Sequence, residues 1–142
     1  MTTVEEIVHG AATLAYLIRH DASSDQTRFF TSDQSTFQAG FVVYPAGGRV
    51  AAHLHLPVVR QVVGTSELLV VRSGRCIVDI YSDDRRLVAS RDLVAGDAVL
   101  SVGGGHGFRM TEDTVLFEVK QGPYGGQAEK ERFETGPEPG DA

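Results

Sequence analysis

Apolar and polar positions alternate along this chain in short runs, and turn-forming residues interrupt them at close intervals. A period of two puts every second side chain on one face of an extended strand. On that basis residues 13–19 (TLAYLIR), 28–31, 37–44 (FQAGFVVY), 49–56, 67–72 (ELLVVR), 75–81, 87–93, 98–102, 108–111 and 114–121 (TVLFEVKQ) are predicted strands. Residues 4–10 fit either a short helix or an edge strand. Pro45-Ala46-Gly47-Gly48 and Ala95-Gly96-Asp97 mark turns. Ser73-Gly74 is expected to be the tip of a hairpin joining 67–72 to 75–81, and residues 57–66 a loop. No amphipathic pattern extends beyond about two helical turns. About ten punctuated strands predict an all-β sandwich or barrel, and periodicity alone does not choose between them. Residues 1–133 read as a single domain. Residues 134–142 (ETGPEPGDA) carry too little apolar content to pack and predict a flexible C-terminal tail.

Composition narrows the function. A chain of 142 residues can bury a real core. The net charge is −6 and the basic residues do not cluster, which argues against a nucleic-acid surface. No apolar run approaches the ~20 residues of a membrane-spanning helix. Cys76 is alone, so no internal disulfide framework is expected; it reads as a buried small apolar residue in a reducing compartment. The acidic N-terminus lacks a signal-peptide pattern, and a cytoplasmic address is expected.

The candidate chemistry lies in three segments. His53 and His55 are two residues apart, so on a strand both imidazoles share one face and make half of a metal site. Taken alone, such a pair suits a solvent-facing strand equally well. Glu67 opens the ELLVV run, and His106 sits in GGGHGF. Three imidazoles and a carboxylate suit a divalent transition metal, namely Fe, Mn, Ni, Co or Zn. They leave coordination positions for a substrate. In the last strand Val115, Phe117 and Val119 alternate with Leu116, Glu118 and Lys120. The first face is expected to pack; the second is either a solvated outer face or the barrel lumen. In the lumen, Lys120 would bind an anionic small molecule or shift a proton, its pKa depressed by burial. Tyr124 and Phe133 would close the mouth or staple the C-terminus. His9 and His20 have no partner pattern and read as surface residues.

Two motifs then coincide. Gly47 is followed by five residues and His53-Leu54-His55, and Glu67 by six residues and Gly74. Gly96-Asp97 opens a second segment that ends at His106. In this the chain resembles the cupin superfamily, over roughly residues 37–121 and with the motifs within 47–110. Eleven residues separate His55 from Glu67, which reads as a lengthened loop, and Arg60 stands where an unexpanded motif would place the acid. Val102-Gly103-Gly104-Gly105 replaces the usual proline region. The resemblance implies a double-stranded β-helix, or jelly-roll, barrel. It implies a metal held by His53, His55, Glu67 and His106, with Lys120 and Tyr124 as catalytic candidates beside it. It implies a small-molecule enzyme of the oxygenase or isomerase/lyase type, acting as a homodimer. A metal-free sugar-nucleotide isomerase or epimerase using His53 or His55 as acid/base, and a non-catalytic ligand-binding or sensor barrel, are the alternatives.

Overall fold

The computed structural model describes residues 4–136. Ten strands run in order: β1 (Glu5–His9), β2 (Ala12–Ile18), β3 (Arg28–Phe29), β4 (Gly40–Phe41), β5 (Glu67–Ser73), β6 (Arg75–Tyr81), β7 (Leu87–Val94), β8 (Ala98–Ser101), β9 (Gly105–Met110) and β10 (Val115–Lys120). A three-residue 3-10 turn, Gln127–Glu129, follows. The predicted all-β class therefore holds. Residues 4–10, left open between helix and strand, contain β1. The predicted tail lies mostly beyond the described residues.

The strands form three antiparallel sheets, ordered β1-β2-β8-β5-β10, β7-β6-β9 and the short pair β3-β4. The two larger sheets face each other. Their inner positions, among them Leu17, Leu69, Val71, Cys76, Val78, Ile80, Leu93 and Val99, form one buried core. These are the alternate residues of each strand, so the period-two pattern is what pays for the sandwich. On one flank the sheets are tied together: Arg91 on β7 reaches Glu5 on β1, with Nη2 2.6 Å from Oε1. On the other flank β9 and β10 are both terminal strands, each bonded on one side only.

Three expectations are corrected here. Ser73-Gly74 is not a hairpin tip, because β5 pairs with β8 and β10 while β6 pairs with β7 and β9. It is a corner at which the chain changes sheets. Gly74 has φ 86°, and a Cβ there would lie 2.1 Å from the Asp113 carbonyl oxygen, so only glycine fits. Residues 49–56 are not a strand, and of 37–44 only Gly40–Phe41 is. The alternating apolar pattern is present in both, but no neighbouring strand pairs with it. Finally, His106 is not in a loop but within β9. In the turn before it Gly104 takes φ 59°, and a Cβ there would lie 2.1 Å from the Tyr81 carbonyl oxygen.

A second anchor sits at the β7–β8 turn. The Asp97 side chain is fully buried and accepts hydrogen bonds from the backbone N–H of His20 (2.7 Å), the backbone N–H of Val94 (2.9 Å) and Arg19 Nη1 (3.1 Å). The His20 ring lies 3.1 Å away, so His20 is partnered rather than a bare surface residue. Burial alone would raise the Asp97 pKa, but these bonds outweigh it and hold the carboxyl below the usual range.

Candidate functional site

The site begins as a row across one sheet. In register, Lys120 of β10 lies beside Glu67 of β5, and Glu67 beside Ser101 of β8. Directly paired residues in neighbouring strands point to the same face, here the inner one. His106 arrives from the opposing sheet, where it pairs with Ile80 and shares its inward direction. The two sheets therefore meet through polar groups. His106 Nε2 is 2.9 Å from Glu67 Oε2, and His106 Nδ1 is 2.8 Å from Ser101 Oγ.

A neutral imidazole satisfies both contacts in either of two ways. Nε2–H donates to a Glu67 carboxylate while Nδ1 accepts the Ser101 hydroxyl. Alternatively Nε2 accepts from protonated Glu67 while Nδ1–H donates to Ser101 Oγ. Burial pushes the His106 pKa below its usual value, aided by the Lys130 charge, so the ring is neutral at pH near 7. Burial pushes Glu67 up to about 7, and a hydrogen bond to Glu118 adds to the rise. Glu118 moves the opposite way, first because it accepts that hydrogen bond. Glu67 is thus the protonated partner of the acid pair.

The Glu118–Lys120 face turns toward Glu67 rather than away from the site, although the open sheets form no closed lumen. The apolar face does not pack: Val115, Phe117 and Val119 are exposed. Lys120 Nζ is 3.3 Å from Glu118 and 3.9 Å from Glu67. Its pKa is raised, chiefly by its hydrogen bond to Glu118, rather than depressed by burial. It is a fixed cation. Tyr124 is exposed, with its ring 5.9 Å from Lys120 Nζ, and it does not line the cavity.

A cavity of about 620 Å³ opens beside Glu67, His106 and Lys120. Phe108, Tyr81 and Phe133 supply apolar wall, and Glu129, Lys130, Glu131 and Arg132 supply charge of both signs. Phe133 stacks edge-on against Tyr81, with centroids 5.1 Å apart, so it both staples the C-terminal segment and walls the cavity. Arg109 points to the outer face, as alternation predicts, where Nε donates to Asp79 Oδ2 at 2.8 Å. A second cavity of about 470 Å³, near Glu6, Thr13 and Phe30, holds no comparable acid/base pair.

Of the four expected metal ligands, only Glu67 and His106 converge. His53 and His55 neighbour each other, with ring centroids 5.1 Å apart, on the exposed segment between β4 and β5. Neither lines the cavity. Among the described residues no group of three or more His, Cys, Asp or Glu side chains is placed to hold a metal ion. Within one chain the donor set does not fit such an ion. Cys76 is buried, as expected, and burial raises its thiol pKa. The sequence reading missed Ser101, whose role depends on facing Glu67 across two strands.

No family model, curated protein or solved structure matches this chain.

Proposed function

We propose that this protein is an acid/base enzyme that moves a proton on a small anionic carbonyl compound, an isomerase, epimerase or lyase in type. The observation that carries this reading is the 2.9 Å Glu67–His106 contact at the wall of a half-apolar cavity. A general base works best when its pKa lies near the working pH, and Glu67 at about 7 meets that condition.

The roles follow from position. Glu67, as carboxylate, takes a proton from a carbon next to the carbonyl. The C–H electron pair moves into the carbonyl and forms an enolate. Lys120 is the nearest cation for that charge. The proton then returns to the same or the neighbouring carbon. His106 relays or holds the proton at Nε2, and Ser101 fixes the ring through Nδ1. Phe108, Tyr81 and Phe133 limit water, and Lys130 and Arg132, interleaved with Glu129 and Glu131, offer cations to a ligand carboxylate.

The test is exchange of carbon-bound hydrogen in D2O, followed by proton NMR with pyruvate, α-ketobutyrate and α-ketoglutarate as probes. The wild-type protein is expected to catalyse exchange with at least one probe. Glu67→Gln should slow it by about 10²-fold or more. Exchange no faster than in Glu67→Gln, for every probe, would refute the reading.

A further inference from the structure

We infer that two copies of this chain exchange the segment between β4 and β5, each laying it along the open β9 edge of the other and bringing His53 and His55 to the other's Glu67–His106 cavity. The inference does not depend on the proposed chemistry. It rests on an unpaired segment and an unfilled gap that match each other.

Residues 42–66 separate β4 from β5. Between 49 and 65 no backbone–backbone hydrogen bond forms among the described residues. The side chains are nevertheless those of a buried strand. Val50, Leu54, Leu56, Val58, Val59 and Val63 are all exposed, with Leu54 at 89%, Val63 at 92% and Val59 at 101% of full accessibility. A lone folded chain rarely presents so much contiguous apolar surface. The turn at Pro45 to Gly48 is formed, with the Gly48 N–H on the Pro45 carbonyl at 2.9 Å, so the segment leaves as a shaped arm.

The gap lies on the β9–β10 flank, beside the Glu67–His106 contact. β9 is bonded to β6 alone and β10 to β5 alone. The cavity reaches both faces of β9. His106 and Phe108 line it from the inner face, and Gly105, Gly107 and Arg109 from the outer. A cavity that passes round a strand in this way exposes that strand's edge, which invites another strand. The arm carries Arg49 and Arg60 and no acid, and the cavity lining holds Glu129 and Glu131 as acidic partners beside its own Lys130 and Arg132. A strand beside β9 sits about 4.8 Å away. With His53 and His55 facing inward, both rings join the face that holds His106, and Leu54 and Leu56 enter the outer part of the cavity, beside Gly107. Exchange is mutual under two-fold symmetry, so both arms and both edges are satisfied at once.

Light scattering after size exclusion at about 20 µM should give twice the 15.3 kDa chain mass. Amides 49–58 and the β9 amides should resist hydrogen exchange. The triple variant Leu54→Asp/Leu56→Asp/Val58→Asp should fall to one chain with its far-UV dichroism unchanged, since those side chains are exposed within the chain and lie outside its core. Contact between chains is read by co-expressing Gly107→Cys with Leu54→Cys or Leu56→Cys and oxidising. Position 107 has open space for a side chain. A covalent two-chain product is expected in a mixture and not from Gly107→Cys alone, because directly paired Cβ atoms come within disulfide reach. Three results overturn the inference: a one-chain mass for the wild type, a two-chain mass that survives the triple variant, or arm amides that exchange freely.

Discussion

Glu67 carries an energetic cost that its neighbours set. Its folded pKa, about 7, lies above the ordinary 4.5, so the folded chain holds a proton more tightly than the unfolded chain does. The contribution is fully favourable below pH 4.5 and fades as pH rises toward 7. By ~1.4 kcal/mol per unit, the loss is at most about 3 kcal/mol. His106 acts in the opposite sense: its lowered pKa makes the fold lose stability as pH falls below 6.5. Subtracting variant from wild type removes the histidine's share. Glu67→Gln should therefore gain stability relative to wild type by about 1–3 kcal/mol on going from about pH 5 to about pH 8, read from urea unfolding at both. An unchanged difference would mean that Glu67 titrates as an ordinary carboxylate. Glu67 and His106 could be singled out because one opens the ELLVV run seven residues before Gly74 and the other sits in the glycine cluster GGGHGF. Their mutual partner Ser101 was not legible, since strand register decides it and register is a property of pairing across the sheet.

Among the elements, the β7–β8 turn shows how one side chain can hold two strands together. Asp97 bonds to Arg19 and His20 at the end of β2, and to Val94 at the end of β7. Asp97→Ala leaves two backbone N–H groups, of His20 and Val94, without their acceptor and should cost about 3 kcal/mol, measured by denaturant midpoint at pH near 7. A loss below about 0.5 kcal/mol would mean that water replaces the carboxylate. The turn at Gly96 could be read from its residues alone, and so could eight of the strands. The two readings that failed share a cause. Residues 67–81 look like a hairpin because two apolar runs flank Ser73-Gly74, but local sequence does not say whether a glycine corner reverses the chain within a sheet or passes it to the opposite one. Residues 49–56 have the alternation of a strand, yet a strand exists only where an edge is available to it.

At the scale of the molecule, two sheets enclose a core, are joined at the β1–β7 flank and part at the β9–β10 flank. Polar groups collect where they part. Row partners from one sheet and a histidine from the other meet there, beside a half-apolar cavity whose lining carries charges of both signs. No helix among the described residues is long and apolar enough to cross a membrane. The arrangement places one carboxyl in surroundings dry enough to keep its proton near neutrality, with a neutral imidazole in contact to exchange it. That is the central claim, and carbon-13 NMR of the glutamate side-chain carboxyls in chelator-washed protein tests it most directly, with Glu67→Gln assigning the resonance. The account predicts a Glu67 midpoint at about 7. A midpoint near the ordinary 4.5 would contradict it.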